Sequence, residues 1–414
     1  MIMDYEATAE LRAKALFGGC IAMLSAGLSI MMFSVCISLI REELALTSAQ
    51  VGTFGTWALV GQAVGGIIAG NIADRIGRAK VLSCSVILVT VCGFIVSTVS
   101  SYWPFAILRL ISGCGLGACY YLSVIYVGEF FSTEKRGSMG AIATAFWSVG
   151  YVVASLMSSY VLESLGWRGM FRISSCTIIF AVWMCIFLKD APSYNATKLV
   201  NPVAKAKKKN QFAEIWAELK LRKTLIVWTL SRVFYLFGYY GAVTWLPNYI
   251  QSSVGFKAAG WFTAANYGAM IIGTIFGGWI ADKYGRKRTF IPACIGIAVM
   301  APILAFVANP SNLLVLLFIW GFLYGWPTGS SATFMGESWP NHLRGTGVGT
   351  SYNVGRIGSW AAPIVVGALV DIGSGSIGIA TLGIGYLISS LILIPFVKEK
   401  EYDTSKVIEA PATT

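Results

Sequence analysis

The sequence predicts an all-α membrane protein with twelve transmembrane helices, and three observations support this fold class. Of its 414 residues, 56% are hydrophobic and only 12% are charged, and the mean hydropathy is +0.69. These values lie outside the range of ordinary soluble domains. Twelve apolar runs are each about 20 residues or longer, the length that one bilayer crossing needs. The basic residues lie in short clusters between these runs.

We number the apolar runs as spans 1 to 12 in chain order. They lie at 15–40, 50–73, 79–98, 103–128, 137–162, 170–189, 224–250, 258–281, 289–308, 312–335, 345–370 and 376–397. A backbone that crosses lipid must satisfy its own hydrogen bonds, as a helix does. The alternating pattern of a membrane β-strand does not occur in these runs.

Five basic clusters fall on the same side of the membrane under this count: 74–80, 132–138, 204–210, 282–288 and 398–400. The connections on the opposite side are short and nearly uncharged. Because cytoplasmic loops carry an excess of Lys and Arg, both termini are predicted to be cytoplasmic. The net charge of +12 therefore indicates cytoplasmic loops in a lipid bilayer, and no nucleic-acid partner is expected.

The longest connection, 190–223, divides the chain into a bundle at 1–189 and a second bundle with a cytoplasmic tail at 224–414. The basic run in this linker, AKAKKKN, is expected to be solvated or to lie against anionic lipid headgroups.

The sequence FAEIWAELKLRK follows that basic run. Phe212, Ile215, Trp216 and Leu219 share one face of a helix here, which predicts either an interfacial amphipathic helix or an extension of span 7.

Two motifs recur at one spacing. GNIADRIGR begins at Gly70 and GWIADKYGR at Gly278, 208 residues later. The pair EFFSTEKRG and ESWPNHLRG begins at Glu129 and Glu337, again 208 residues apart. Two separate motifs with one offset indicate that the two halves are parallel repeats.

Cysteine and histidine chemistry is not predicted. The nine cysteines lie in apolar runs without a Cys-x-x-Cys pair, as small buried residues do. The only histidine, His342, lies in a polar turn. No metal site, cofactor site or catalytic triad is therefore expected, and the N-terminus lacks the pattern of a cleaved signal peptide.

With the segment RLISGCGLG of span 4, at 109–117, the repeated motifs resemble those of the major facilitator superfamily over essentially the whole chain. The resemblance implies two six-helix bundles, a central site between them and alternating access by rocking. It also implies a transporter in the plasma (bacterial inner) membrane, a monomer, and no enzymatic activity.

The resemblance assigns the loop charges to gating. Asp74 and Asp282 are each expected to meet the cytoplasmic start of a helix of the opposite bundle, near Arg344 and Arg136 respectively, where the helix dipole and an ion pair both favour a carboxylate. The predicted gating residues are Asp74, Arg75, Arg78, Asp282, Arg286, Glu129, Arg136, Glu337 and Arg344.

Three arginines lie deep in spans: Arg109, Arg232 and Arg356. Each costs about 2.5–3.5 kcal/mol on insertion scales unless it faces a polar cavity. Arg109 belongs to the span 4 motif and is either structural, packed against backbone carbonyls, or part of coupling. Arg232 and Arg356 are the predicted substrate-binding residues. Their neighbours at helical spacing are Tyr235 and Tyr239 for Arg232, and Asn353 and Trp360 for Arg356.

No acidic residue lies comparably deep, so the simplest counter-ion for these arginines is the cargo. A guanidinium binds a carboxylate or sulfonate with two hydrogen bonds, which predicts a small organic anion. The alternative is that each arginine pairs with helix-end carbonyls or with an inner-end glutamate.

The segment RGTGVGTSYNVGRIGSWAAP resembles span 11 of the aromatic-acid and organic-anion branches of the superfamily. Aromatic-acid symporters carry an aspartate motif in span 1, and this span 1 has no acidic residue. Aromatic residues that are candidates for lining the cavity are Trp57, Tyr121, Trp147, Tyr239, Tyr324 and Tyr352.

An anion that enters a negative-inside cell needs a driving ion, because each charge costs about 2.3 kcal/mol per 100 mV. Proton symport is the predicted coupling. Alternatives are anion exchange and a neutral, sugar-like cargo. A multidrug antiporter is disfavoured because span 5 lacks the glycine-proline ending of that branch.

Overall fold

The computed structural model describes residues 8–131, 133–191, 211–340, 343–373 and 375–399, with the side chains of 133–138 left out. The basic run at 204–210, His342 and the tail beyond residue 399 lie outside these described residues. The side chain of Arg136 also lies outside them.

Within these ranges, ten continuous helical stretches are long and apolar enough to cross a membrane. Two exceed a single crossing: Met139–Phe187 has 49 residues and Leu219–Tyr284 has 66. A helix of 66 residues is roughly 100 Å long, against a hydrocarbon core of about 30 Å. Each stretch contains a non-helical glycine, Gly166 with φ 62° and Gly255 with φ 76°. Division at these glycines gives the twelve spans that the sequence predicts.

Spans 1 to 4 are Ala9–Glu43, Ser48–Ile76, Arg78–Val96 and Tyr102–Gly128. Thr133–Ser174 holds span 5 and the start of span 6, which continues through the turn Ser175–Thr177 into Ile178–Phe187. Leu219–Tyr284 holds spans 7 and 8. Spans 9 and 10 are Arg286–Phe306 and Leu313–Gly336. Span 11 consists of Arg344–Gly355 and Ile357–Asp371, and span 12 is Gly375–Phe396.

The helices form two compact units. The first contains the described residues of Met1–Ala204 together with Val243–Gly268 and Pro363–Gly375. The second contains those of Lys205–Ala242, Ala269–Ala362 and Ser376–Thr414. Spans 7 and 11 thus contribute one part to each unit.

The sequence repeat recurs in helix packing. In the first unit, spans 2 and 4 approach so closely that a Cβ on Gly65 would overlap the backbone of Cys114. In the second unit, a Cβ on Gly273 would overlap the backbone of Phe322 in the same way. Both members of the second pair lie 208 residues after those of the first. Small residues let membrane helices approach this closely. Spans 2 and 4 of the first half and spans 8 and 10 of the second half therefore pack in the same way.

A second crossing is also repeated. Gly150 of span 5 lies against the carbonyl oxygen of Leu24 in span 1. Its counterpart 208 residues later, Gly358 of span 11, lies against the carbonyl oxygen of Val233 in span 7. The crossing of spans 7 and 11 can therefore be compared, residue by residue, with the crossing of spans 1 and 5 in the first half of the chain.

The turns after spans 2 and 8 require glycine. Gly77 has φ 110° and Gly285 has φ 105°, values that side chains with a Cβ rarely adopt. A carboxylate from the end of the same half then caps the next helix. Asp190 accepts a hydrogen bond from the N–H of Ala79 at 2.8 Å, and Glu399 accepts three from the first turn of span 9 at 2.5, 3.0 and 3.3 Å.

A short helix, Gln211–Ala217, precedes span 7 and is separated from it by Glu218, which has extended φ/ψ of −87° and 118°. Ile215 is fully buried against Trp339 and its neighbours. Phe212 and Trp216 remain about half exposed and stack on each other. The helix is therefore distinct from span 7, with one buried residue and an exposed aromatic pair.

Candidate functional site

Arg232 of span 7 is buried in the second unit, with 2% of its surface exposed. Three rings surround its guanidinium carbon, with centroids at 5.0 Å for Tyr235, 5.4 Å for Trp228 and 5.8 Å for Phe290. A ring face attracts a cation, and more strongly where water is excluded. These rings hold the guanidinium charge in an apolar setting without neutralising it.

The hydrogen-bonding capacity of Arg232 is largely unused. Its Nη2 donates one long bond, 3.4 Å, to the carbonyl oxygen of Ser331. Its Nε is buried without a hydrogen-bond partner, and Arg232 forms no ion pair with any residue that the structure describes. A guanidinium has five N–H donors, so several are available to an anion.

Arg356 is also buried, at 1% exposure, and it lies between Arg344–Gly355 and Ile357–Asp371, where the backbone of span 11 keeps helical φ/ψ of −59° and −17°. Its own N–H reaches the carbonyl oxygens of Tyr352 at 3.2 Å and Asn353 at 3.3 Å. Its guanidinium carbon is 5.2 Å from the centre of the Tyr352 ring.

Gly355 brings the two arginines into one region, because a Cβ at this position would overlap the Cβ of Arg232. In the equivalent crossing of spans 1 and 5, the positions of Arg232 and Arg356 are occupied by Leu24 and Ser148. Spans 1 and 5 therefore cross closely at the equivalent place without any arginine. Helix crossing at this place therefore does not require the two arginines.

Tyrosines extend from Arg232 along the second unit. Tyr235 stacks on Tyr239 at 6.4 Å, and Tyr239 stacks on Tyr324 at 5.0 Å with an interplanar angle of 10°. The Tyr324 hydroxyl donates to the carbonyl oxygen of Tyr239 at 2.7 Å. The hydroxyl of Tyr235 lies 3.3 Å from that of Thr328. The structure thus brings three of the predicted aromatic residues into one stack beside Arg232.

The other predicted site residues fall into two groups. Asn353 donates to the carbonyl oxygen of Gly349 at 2.8 Å, and Trp360 is half-buried in the same unit. Trp147 is 6% exposed and packs against the Tyr120 ring at 5.4 Å in the first unit. Trp57 and Tyr121 also belong to the first unit and are half-buried.

Arg109 has a packed environment in the first unit. Its Nε donates to the carbonyl oxygen of Phe54 at 3.4 Å, and its guanidinium carbon lies 4.6 Å from the centre of the Phe33 ring. It is 3% exposed. These contacts are those expected of a structural side chain packed against a backbone carbonyl, and the role of Arg109 stays a prediction.

The loop charges form one network in each unit. Arg78 contacts Asp74 at 3.5 Å and pairs with Glu129. The equivalent Arg286 lies 2.9 Å from Asp282 and 3.0 Å from Glu337.

Each inner-end glutamate is therefore paired with a loop arginine in the structure. Arg344 donates to the carbonyl oxygen of Gly336 at 2.9 Å, and Arg75 is exposed. The gating role of all these residues stays a prediction.

Sequence reasoning missed Trp228, Phe290 and Gly355. Trp228 precedes Arg232 by four residues, so helical spacing contained a signal for it. Phe290 lies on span 9 and Gly355 opposite span 7, and no local pattern reports such long-range contacts.

Twelve apolar spans, a repeated architecture and a buried cationic site define a multi-pass membrane transporter rather than an enzyme. The sequence matches the model of the Major Facilitator Superfamily over residues 19–363 and 255–413. The chain belongs to this family.

Relatives span nearly the whole chain. The cis,cis-muconate transport protein of Acinetobacter baylyi is 35% identical over 386 residues, 92% of this chain and 94% of that protein. The gentisate transporter of Corynebacterium glutamicum is 28% identical, covering 96% of this chain and 90% of that protein. Among solved structures, a D-xylose-proton symporter has a TM-score of 0.76 at 17% identity, with 94% of this chain and 99% of that chain covered. This likeness shows the fold.

Proposed function

We propose that the chain imports a small organic anion, a carboxylate or sulfonate, by proton symport with alternating access. The observation that carries the proposal is the buried guanidinium of Arg232, which has unused donors and forms no ion pair with the described residues. A buried cation without a counter-charge is costly, and a bound anion would remove that cost.

The repeat supports a functional role for both arginines. The positions equivalent to Arg232 and Arg356 in the first half of the chain are occupied by Leu24 and Ser148. Only the second half of the repeated fold therefore has arginines at these positions. The names of three relatives also support an anionic cargo. They are named as transporters of cis,cis-muconate, gentisate and benzoate, and all three compounds are carboxylates.

We assign the remaining predicted residues accordingly. Arg232 and Arg356 bind the anionic group, and the aromatic residues with Asn353 line the cavity and contact the rest of the cargo. The charged loop residues act in gating. The protein acts as a monomer in the bacterial inner membrane, with both termini cytoplasmic, and the linker at 190–223 divides the chain into the two bundles.

Binding is tested with pairs of compounds that differ only in charge: benzoate against benzamide, and nicotinate against nicotinamide. The purified protein is heated with each compound, because a ligand of the folded state raises the unfolding temperature. We expect stabilisation by the carboxylates and none by the amides or by D-xylose. Stabilisation by D-xylose alone would support the neutral-solute alternative and overturn the anion assignment.

Arg232→Gln and Arg356→Gln test the site. Each loses charge-assisted hydrogen bonds that contribute about 1.5–3 kcal/mol, so carboxylate binding should weaken about tenfold to a hundredfold. Lys223→Gln removes the same charge at an exposed position near the start of span 7 and serves as control. Unchanged affinity in both arginine variants would reassign these residues to structure.

Coupling is tested in proteoliposomes by uptake under an inward proton gradient, with the membrane potential clamped. Symport predicts accumulation that disappears when the gradient collapses. Transport that needs an internal anion and ignores the gradient would identify an exchanger.

A further inference from the structure

Two contacts in the first unit join the ends of spans 7 and 11 to spans 1 and 2. They lie on the side opposite the basic loops, which the proposed topology places outside the cell. The carboxylate of Asp371, the last residue of span 11, accepts hydrogen bonds from the N–H groups of Ser48 at 2.7 Å and Ala49 at 2.8 Å. These two residues open span 2.

The N-terminus of a helix has unpaired N–H groups and a partial positive charge, so a carboxylate is well placed there. Gln50 and Val51, the next residues, already bond to Thr47. Asp371 therefore satisfies the two donors that the capping residue of span 2 leaves open.

Gln251 of span 7 makes the second contact. Its Nε2 donates to the carbonyl oxygen of Val35 at 2.6 Å, and its Oε1 accepts from the hydroxyl of Ser38 at 3.1 Å. Gln251 is 8% exposed, so this polar link between spans 1 and 7 is shielded from solvent.

Close backbone packing accompanies both contacts. A Cβ on Gly52 would overlap the carbonyl oxygen of Pro363, and a Cβ on Gly367 would overlap that of Ser48. Spans 2 and 11 thus lie backbone to backbone over at least one turn at this end.

We propose that Asp371 and Gln251 form an outer clasp, which holds the outer ends of spans 7 and 11 on spans 2 and 1 and releases them when the outer side opens. Every bond of the clasp joins two polar groups at the outer ends of the helices, where water enters when the outer side opens. Water replaces such bonds when they break, which keeps their net strength small. A clasp of this kind is strong enough to bias a conformation and weak enough to open in each cycle.

The proposal rests on transport by alternating access and on the proposed topology, and it does not depend on the cargo. Its test uses purified protein without substrate, so its failure and the failure of anion binding are separate results.

The first measurement is hydrogen exchange of single amides in Asp371→Ala. We expect the Ser48 and Ala49 amides to exchange about tenfold faster, the effect typical of losing a cap. The Gln50 amide, bonded to Thr47, serves as an internal control. Glu163→Gln removes another carboxylate near the outer side, one that is exposed, and should leave all these amides unchanged.

The second measurement separates a clasp from a simple helix cap. The exposed Cys84, Cys176 and Cys185 are first changed to Ser. Spin-labelled cysteines then replace Ala45 and Ile372, two exposed residues beside the clasp, and the distance between the two labels is measured. In the parent protein nearly all molecules should show one short distance between the labels. Asp371→Ala should raise the small fraction of molecules with a longer distance about tenfold, and Gln251→Leu should raise the same fraction.

Faster exchange at Ser48 and Ala49 with an unchanged label distance in both variants would overturn the proposal and leave Asp371 as a cap only. Acceleration spread equally over the amides of 70–76, at the other end of span 2, would also overturn it. In that case Asp371 supports the whole fold rather than one side.

Discussion

Gly355 lies against Arg232, so closely that a Cβ on the glycine would overlap the Cβ of the arginine. This contact fixes where span 11 crosses span 7. It also places Arg356, the next residue, beside the same crossing, which explains how two arginines 124 positions apart share one region.

Gly355→Ala should displace span 11 from span 7. Overpacking of this kind typically costs about 1–3 kcal/mol, and here the obstructing atom is next to the backbone and cannot swing away. We expect a lower unfolding temperature and weaker carboxylate binding, measured by thermal unfolding with and without benzoate. Gly349→Ala, in the same helix, meets no atom within 4 Å and should preserve both properties. Normal binding in Gly355→Ala would show that the crossing does not position the arginines.

Tyr235 contributes its ring to Arg232 and its hydroxyl to Thr328. Tyr235→Leu removes both, whereas Tyr235→Phe removes only the hydroxyl contact. Because a desolvated cation–π contact contributes about 2 kcal/mol, we expect the leucine variant to weaken carboxylate binding at least tenfold. The phenylalanine variant should bind nearly normally, as measured by titration calorimetry. Equal losses in the two variants would assign the effect to the hydroxyl.

Asp190 caps span 3 through the N–H of Ala79. Asp190→Ala should lower the free energy of unfolding by about 0.5–2 kcal/mol, the usual effect of losing a helix cap, while the anion affinity stays unchanged. Glu42→Ala is the control, because that carboxylate is exposed at the other end of the bundle. Denaturant unfolding in detergent measures the free energy of unfolding of both variants. An Asp190→Ala protein as stable as the control would contradict a capping role.

Ile215 anchors the short helix Gln211–Ala217 on Trp339. Ile215→Ala should detach this helix, since truncation of a buried isoleucine costs about 2–5 kcal/mol and the helix has only 7 residues. Hydrogen exchange at 211–217 should rise strongly, with little change in the spans. Phe212→Ala, at a half-exposed position, should leave the exchange of this segment near the parent value. Protection that persists in Ile215→Ala would locate the anchor elsewhere.

The sequence predicts that the two halves share helix crossings, but it does not predict which residues meet at each crossing. The offset of 208 residues is visible in the sequence, and the structure repeats it at Gly65 with Cys114 and at Gly273 with Phe322. Which glycines face which partners depends on helix rotation, which a run of apolar residues on all sides does not define.

The sequence by itself determined the twelve spans, their repeat and the depth of the two arginines. Span length follows from bilayer thickness, and an arginine far inside an apolar run is conspicuous because insertion of its charge is costly. These are local properties of the chain, and they support both the membership of this family and the proposal of an organic-anion cargo.

Only the tertiary structure shows which residues the charged and polar side chains contact. It assigned Glu129 and Glu337 to loop arginines, placed Phe290 beside Arg232, and brought Asp371 to Ser48, 323 positions away in sequence. Such contacts depend on how helices cross and rotate, and side-chain chemistry at one position does not specify a partner hundreds of residues away. The sequence determines which groups are unusual, and the packing determines what they meet.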